Sequence, residues 1–332
     1  MISLYVRENG ALVRRSRSRL IIARGETVLH TARLREVERV VLAGNVELTA
    51  SAASALLEQG IETVFLSPGG RYRGRLAPAE GKNVFLRRAQ FRAADLPEFR
   101  LEVSRAIVLA KCRSSRVVVR RYLERHEDQS LERVLAALGA ARERVGRATS
   151  LPELLGCEGD AARIYFGGLG RMVREPFVFT TRTRRPPKDP VNALLSFGYT
   201  LCTTEITGAV AGAGLDPHVG YYHELDYGRP SLALDLLEEF RQPVIDRLAL
   251  SLCNRSVLQP ADFEARDQGV LLTDRGRQRF LAYYHRALET EFVERTSGER
   301  GTYRTFFRRQ ADRIRRAVEA GDASLYVPFQ LD

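Results

Sequence analysis

The chain has few sulfur-containing residues and no tryptophan. Its 332 residues include two methionines and four cysteines. The cysteines form no CxxC pair and stand far apart along the chain, which excludes a zinc ribbon and a disulfide framework. Such isolated thiols are typical of reduced residues in a protein core. They are Cys112, Cys157, Cys202 and Cys253.

Long hydrophobic runs are also absent. No apolar run reaches the roughly 18 residues that a membrane helix needs. The first residues, MISLYVRENG, lack the basic and apolar regions of a secretion signal. We therefore expect a cytoplasmic protein with no membrane partner.

Several catalytic signatures are missing. The sequence contains no GxGxxG or P-loop pattern, which argues against dinucleotide binding and nucleotide hydrolysis. It contains no HExxH and no GxSxG, which argues against a zinc protease and a serine hydrolase. If the protein is an enzyme, we therefore expect it to belong to a class that uses none of these motifs.

Lysine is scarce, but positive charge is abundant. Only Lys82, Lys111 and Lys188 occur among 52 basic residues, against 41 acidic residues, and the net charge is +11. A GC-rich genome that favours arginine codons would account for the bias. Whatever its cause, an excess of arginine attracts polyanions and grips phosphate with two hydrogen bonds. The composition therefore indicates a nucleic-acid partner.

The pattern of the chain predicts an α+β fold. Residues 1–80 contain short β-rich runs broken by turns and one helix, Thr49–Gln59. Residues 81–332 show helical periodicity almost throughout, including a late arginine-rich helix at Tyr303–Arg316. We predict a small N-terminal β-rich domain, a boundary near Pro78–Gly81 and a larger all-α domain.

Two clusters of polar residues could perform chemistry. Glu158 shares a predicted helix face with Tyr165, although a lone glutamate in a first helical turn is more often there for the helix dipole. His223 lies in a loop before a helix that Ser231 could cap, and Asp235 there precedes an acidic pair by three residues. An imidazole with carboxylates suits Mn²⁺ or Mg²⁺, whereas a solvated acidic stripe is the simpler interpretation.

A third cluster is basic. The segment Arg171–Lys188 holds six basic residues against the single acid Glu175. A solvated loop is the simple interpretation, but arginines stiffened by proline and interleaved with phenylalanine are also suited to gripping a DNA backbone.

These clusters occur together and in order in a known family. The chain resembles the CRISPR-associated adaptation integrase family, "Cas one" in words, along nearly its whole length. The matching motifs are SPGGRYRGRL (67–76), GKNVFLRRAQFR (81–92), LLGCEGDAARIYF (154–166), PPKDPVNALLSFGYTLC (186–202), HELDYGRPSLALDLLEEFRQPVIDRL (223–248), GVLLTDRGRQRFL (269–281) and YVPF (326–329).

The resemblance implies a set of site residues. It places metal ligands of the catalytic domain at Glu158, His223 and Glu238, with Asp235 as an auxiliary ligand. Many members have aspartate where Glu238 stands, and the neighbouring Glu239 leaves this ligand open by one residue. The resemblance also favours DNA-backbone contacts by the basic residues of this region. They are Arg163, Arg182, Arg184, Arg185 and Lys188.

The resemblance further implies an activity and partners. It predicts a Mg²⁺- or Mn²⁺-dependent DNA endonuclease and integrase of antiviral defence, which joins the 3′-hydroxyl ends of spacer DNA to the CRISPR repeat by transesterification. Its expected partners are a second copy of itself, a bridging "Cas two" dimer, double-stranded DNA and, in some systems, a "Cas four" nuclease. A non-catalytic DNA-binding scaffold is the alternative, and the intact ligand set favours the enzyme.

Overall fold

The computed structural model describes residues 2–68, 72–76, 83–267, 269–294 and 297–330. It forms two compact units, Met1–Lys82 and Asn83–Asp332. The expected α+β class is confirmed, because the first unit is β-rich and the second is mostly helical. The predicted boundary at Pro78–Gly81 lies outside the described residues, and so do Gly69–Arg71 of the first matching motif.

Two four-stranded sheets make up most of the first unit. In one sheet β5 lies between β1 and β7, parallel to both, and β8 pairs antiparallel with β7. In the other, β3 lies between β4 and β2, antiparallel to both, and β6 pairs parallel with β2. The strands are β1 (Ile2–Val6), β2 (Ala11–Ser16), β3 (Arg19–Arg24), β4 (Thr27–Arg33), β5 (Val37–Ala43), β6 (Val46–Leu48), β7 (Glu62–Leu66) and β8 (Tyr72–Leu76).

One helix, α1 (Ala50–Glu58), completes this unit. The Thr49 side chain caps it by accepting a hydrogen bond from the amide of Ala52, as the sequence predicts. Gly60 follows with a φ of +70°, a left-handed conformation that glycine adopts without strain. Leu56 of α1 belongs to the same buried apolar cluster as Val13 of β2 and Val40 of β5, so the helix and both sheets share a core.

The second unit is built from helices. Among its described residues, only two short antiparallel strand pairs interrupt this pattern, namely β9 (Phe263–Arg266) with β10 (Gly269–Leu272) and β11 (Phe292–Val293) with β12 (Arg300–Gly301). The helices are α2 (Val84–Asp95), α3 (Pro97–Leu123), α4 (Gln129–Arg147), α5 (Leu151–Met172), α6 (Pro190–Gly212), α7 (Ser231–Phe240), α8 (Arg247–Asn254), α9 (Asp274–Glu289) and α10 (Tyr303–Ala320). Each described helix is too short or too polar to span a bilayer.

The stretch Ser231–Leu252, which the periodicity predicts as one helix, is divided by a π-helical turn at Arg241–Asp246. Pro243 lies in this turn and has no amide hydrogen to donate to the carbonyl four residues earlier. The helical ladder therefore opens here and is re-formed as α8. A π-helical turn changes which residues face a neighbour, and such turns are frequent at functional sites.

Helix α3 is central to the second unit, because it packs against both α5 and α7. Val108 and Cys112 of α3 share a buried cluster with Leu154 and Ala161 of α5 and with Tyr222, which precedes α7. This packing brings three segments that are distant in sequence to one place.

The β4 edge of the first unit supports a prediction about assembly. β4 pairs with β3 and is the outer strand of its sheet, and its Val28 and Leu29 are 53% and 43% exposed. An exposed apolar edge strand favours pairing with a second copy. We expect a dimer at micromolar concentration and physiological salt, and we expect the Val28→Glu, Leu29→Glu double variant to sediment as a monomer.

Val178→Glu is the matched control, because Val178 is 64% exposed but lies in the second unit. It should leave the dimer intact. A monomeric wild-type protein, or a double variant that still dimerises, would contradict assembly through this edge.

Candidate active site

A lysine and two glutamates from three helices meet in the second unit. The Lys111 ammonium of α3 contacts the Glu158 carboxylate of α5, and its Nζ lies 2.6 Å from Oε2 of Glu238 on α7. The side chains are 13%, 18% and 4% exposed, respectively. Glu158 and Glu238 are therefore brought together as the sequence predicts, whereas Lys111 between them is not among the predicted residues.

His223 joins this cluster from the loop before α7. Its Nε2 atom lies 3.7 Å from Oε1 of Glu238, and its Nδ1 atom lies 2.7 Å from Oδ1 of Asp235. A hydrogen bond from Nδ1–H to Asp235 leaves the Nε2 lone pair facing Glu238. The imidazole is therefore oriented as a ligand or a proton acceptor.

Asp235 holds the loop that carries His223. The carboxylate is completely buried and accepts hydrogen bonds from the amides of Tyr221, Tyr222 and His223 at 2.6, 3.0 and 2.8 Å. Gly220 is required at the start of this loop, because a Cβ atom there would lie 2.8 Å from Oδ2 of Asp235. Asp235 thus contacts the imidazole and the backbone rather than Glu158 or Lys111.

The structure also shows what Ser231 does. The sequence suggests that it caps α7, but this prediction is wrong, because α7 already includes Ser231 and the capping position is Pro230. The Ser231 hydroxyl instead donates a hydrogen bond to the carbonyl of Glu224 at 2.9 Å. This bond ties the loop after His223 back to the first turn of the helix.

Two cations keep Glu238 ionised. Burial by itself raises the pKa of this carboxyl, but Arg241 at 2.9 Å and Lys111 hold it well below its usual range. Burial also lowers the pKa of Lys111, yet the charges of Glu238 and Glu158 outweigh that effect and raise it. The lysine is therefore a cation within the cluster.

Glu239 has a different environment from its neighbour. Its carboxylate accepts hydrogen bonds from Nε2 of Gln310 and from the amide of Phe329, both at 2.7 Å, and from the Tyr326 hydroxyl. Burial raises its pKa to about 8 against the lowering effect of these donors. Of the two candidates that the sequence leaves open, Glu238 lies in the cluster, and Glu239 anchors the C-terminal segment.

A small cavity adjoins the cluster. Its polar lining includes the Gln242 amide, whose Oε1 atom is buried and has no hydrogen-bond partner. The remaining lining residues are Lys111, Cys112, Ser115, Glu158, Ala161, Ala162, Tyr165 and Phe166. The predicted common face of Glu158 and Tyr165 is therefore the wall of this cavity.

The predicted DNA-binding residues fall into two groups. Arg184, Arg185 and Lys188 are exposed, and Arg163 is exposed with its guanidinium 3.5 Å from Asp160. Arg182 is the exception, because it donates hydrogen bonds to Asn192 and Ser196 at 2.8 and 3.1 Å and lies over the Tyr199 ring.

The arginine-rich helix α10 is not the open phosphate track that its sequence suggests, since acidic residues of the protein neutralise much of it. Arg304 is buried and pairs with Glu205 and Glu289. Arg309 pairs with Glu299, and Arg315 pairs with Asp312 and Glu319.

Sequence reasoning missed Lys111 and Arg241. A signal for Lys111 was present, because a lysine is rare in this chain and this one follows the apolar run IVLA in a helix. No comparable signal marks Arg241, which is one of many arginines. Its role depends on the π-helical turn that begins there.

Asp246, at the end of that turn, gives a prediction about pH. It is fully buried and accepts a hydrogen bond from the Tyr199 hydroxyl at 2.6 Å, and burial raises its pKa to about 6. Its ordinary pKa is about 3.9, so its contribution to stability is complete below about pH 4 and is lost as the pH rises through 6. Relative to wild type, Asp246→Asn should gain about 3 kcal/mol in unfolding free energy between pH 4 and 6, at about 1.4 kcal/mol per pH unit, and should gain little more above that.

Denaturant titrations at several pH values measure this difference. Asp160→Asn, at an exposed aspartate, controls for the loss of one carboxylate. A constant difference between Asp246→Asn and wild type across this range would show that Asp246 is not the titrating group.

Comparison with known proteins identifies the family. Residues 4–286 match the family model described as CRISPR associated protein Cas1. A Thermus thermophilus protein named CRISPR-associated endonuclease Cas1 3 is 37% identical over 98% of this chain and 96% of its own length.

Two further relatives are longer than this chain. A Geobacter sulfurreducens protein named CRISPR-associated exonuclease Cas4/endonuclease Cas1 fusion is 37% identical over 99% of this chain, which spans 60% of that protein. A solved structure titled Cas6-RT-Cas1--Cas2 complex matches with a TM-score of 0.83 and 25% identity, over 100% of this chain and 36% of the other. The length of the match to the family model and the identity to a full-length relative show that this chain belongs to the Cas1 family of CRISPR-associated proteins.

Proposed function

We propose that this chain is a divalent-metal-dependent DNA endonuclease and integrase that acts in CRISPR adaptation. Its relatives are named as Cas1 endonucleases, which supports a nuclease. The observation that carries the proposal is a cluster beside a cavity, in which Glu158 and Glu238 both contact Lys111 and Nε2 of His223 lies 3.7 Å from Oε1 of Glu238.

The donor set fits a divalent metal ion. Two carboxylates and one imidazole are suitable ligands for Mn²⁺ or Mg²⁺, and the Asp235–His223 contact is the type of outer hydrogen bond that orients metal-binding histidines. Among the residues that the structure describes, no three such side chains are close enough together to bind one metal ion. The Lys111 ammonium instead contacts both glutamates. Asp235 is placed to orient His223 rather than to bind the ion itself.

The proposed reaction is a transesterification. A DNA 3′-hydroxyl attacks a phosphodiester of the repeat, one phosphodiester bond forms as another breaks, and no high-energy cofactor is consumed. A bound ion held by Glu158, Glu238 and His223 would neutralise charge on the phosphorane-like transition state and help to activate the attacking hydroxyl. If water replaces the hydroxyl as the attacking group, the same site cuts DNA.

The protein's own side chains would perform the remaining tasks. Asp235 keeps the imidazole in one orientation, and Arg241 keeps Glu238 ionised. The exposed Arg184 and Arg185 contact the DNA backbone without reading its sequence. Arg182 anchors this segment by donating a hydrogen bond to the Asn192 side chain.

Partners follow from the relatives. We propose that a homodimer assembles with a Cas2 protein on DNA, because one structural relative is part of an assembly that contains Cas2. One relative in sequence is fused to a Cas4 exonuclease, so a Cas4 protein is a further candidate partner.

Strand joining provides a direct test of the site. Glu158→Gln and His223→Ala should each reduce formation of the joined product by about 100-fold or more, because each removes a metal ligand. The measurement is a strand-transfer assay with labelled spacer DNA, a repeat-bearing target and Mn²⁺ or Mg²⁺, in the presence of the Cas2 partner.

Asp160→Asn is the matched control, because it changes an exposed acid on the same helix as Glu158. Melting temperature and sedimentation should show that all variants remain folded and assembled. Undiminished joining by either ligand variant would remove that residue from the site.

The basic segment can be tested through its salt dependence. Neutralising two phosphate contacts in an Arg184→Ala, Arg185→Ala variant should weaken duplex binding for all sequences alike. It should also flatten the slope of log affinity against log salt by about two.

A matched pair, Arg144→Ala with Arg147→Ala, removes the same charge from the exposed side of α4. It should leave the slope unchanged. If the Arg184, Arg185 variant binds duplex DNA with the wild-type slope, the segment is a solvated loop.

A further inference from the structure

The position of Lys111 points to a role beyond ion pairing. Its ammonium contacts the Glu158 carboxylate and lies 2.6 Å from Oε2 of Glu238, and its side chain is only 13% exposed. The same two glutamates would hold the metal ion of the proposed function. The lysine and the ion would therefore compete for the same carboxylates.

The residue type supports this interpretation. Arginine supplies the other basic groups of the second unit except Lys188, so a lysine at position 111 departs from the bias of the chain. A guanidinium is a planar fork that binds carboxylates with two hydrogen bonds, whereas an ammonium is a compact point charge on a flexible stem. A compact cation on a flexible stem can fill the position between two carboxylates and also leave it.

The charges show why a cation is needed before metal binds. The side chain of Glu238 is 4% exposed and that of Glu158 is 18% exposed, and both carboxylates contact the same ammonium. Two nearby carboxylates with so little contact with water repel each other strongly unless a cation lies between them. Arg241 contacts Glu238 at Oε1, on the opposite oxygen from Lys111. Lys111 is thus the cation that bridges the pair.

The adjoining cavity offers the lysine a second position. Lys111 and Gln242 both line it, and Oε1 of Gln242 is a buried acceptor without a hydrogen-bond partner. Leaving a buried acceptor unsatisfied is costly, so a donor that reaches it is favoured. An ammonium displaced from the glutamates would satisfy this atom without becoming exposed.

Resting on the proposed function, we propose that Lys111 is a built-in counter-cation, which bridges Glu158 and Glu238 while the metal is absent and moves toward Gln242 when the ion binds. The lysine then competes with the metal for the same carboxylates. Metal binding is then an exchange of one cation for another. The two carboxylates are already held together by the lysine before the metal ion binds.

The test measures Mn²⁺ binding to the full chain without DNA, by calorimetry and by electron paramagnetic resonance of the free ion. Lys111→Met keeps the length of the side chain but removes its charge. It should bind Mn²⁺ at least about tenfold more tightly than wild type, which corresponds to about 1.4 kcal/mol of competition removed. Its metal-free form should melt at a lower temperature, and its gain in melting temperature on adding Mn²⁺ should exceed that of wild type.

A second pair of variants tests the receiving position. Gln242→Met removes the acceptor and should weaken Mn²⁺ binding when Lys111 is present. The same change in the Lys111→Met background should have little effect, because no ammonium then needs the acceptor. Lys111→Arg should bind Mn²⁺ more weakly than wild type, since a bidentate guanidinium holds the carboxylates more firmly.

Two controls separate the possible failures. Arg120→Met removes an exposed cation from α3, the helix that carries Lys111, and should leave Mn²⁺ affinity unchanged. Glu158→Gln should abolish Mn²⁺ binding with either residue at position 111. If Mn²⁺ still binds to this variant, or does not bind to wild type, the proposed function is wrong and this inference is wrong with it. If wild type binds Mn²⁺ through Glu158 but Lys111→Met binds it equally or less tightly, only the counter-cation role is wrong. Equal effects of Gln242→Met in both backgrounds would exclude Gln242 as the receiving group.

Discussion

Three carboxylates on one buried helix must each find a partner, and much of the second unit is arranged around this requirement. Asp235, Glu238 and Glu239 on α7 are all nearly inaccessible. An unpaired buried carboxylate costs several kcal/mol, so each must be compensated where it lies. Asp235 accepts hydrogen bonds from loop amides and contacts an imidazole, and Glu238 forms ion pairs with two cations. Glu239 accepts a hydrogen bond from the C-terminal segment. The packing of α7 and the construction of the site therefore have one physical cause.

The π-helical turn that follows α7 links the site to the basic segment. Arg241 contacts Glu238 and also lies over the Tyr199 ring at 4.4 Å, while Arg182 lies over the same ring at 5.5 Å. A ring flanked by two guanidiniums is a cation–π arrangement that stabilises both side chains. Arg182 is thereby committed to the protein, and the exposed arginines that follow it are held near α6. The π-helical turn directs Arg241 to this place, since it begins at that residue.

Among the described residues, the side chains of the cluster and of its cavity include no activated nucleophile. The cluster supplies two acids and an oriented imidazole, and Cys112 and Ser115 line the cavity beside it. Burial raises the pKa of the Cys112 thiol to about 11, and the Ser115 hydroxyl donates a hydrogen bond to the carbonyl of Lys111. The nearby Tyr165 is buried, and burial raises the pKa of its hydroxyl well above the ordinary value, which disfavours it as a nucleophile.

Local patterns in the sequence determined most of the helices and the identity of the family. The cap residue Thr49 begins its helix where the sequence predicts it, because a cap acts within three residues of itself. The helical periodicity predicts a helix over Asp274–Glu294, but α9 ends at Glu289 because Thr290 adopts an extended backbone. Glu158 and His223 became candidates through the family resemblance, whose motifs are contiguous in sequence.

Tertiary structure alone decided the contacts between distant residues. It separated Glu238 from Glu239, since the distinction depends on Lys111 on one side and on Tyr326 and Phe329 on the other. It placed a lysine 47 positions before Glu158 against that glutamate, and it turned Arg182 inward. No local pattern encodes such contacts, because they arise from the packing of whole helices, whose relative positions depend on the entire core.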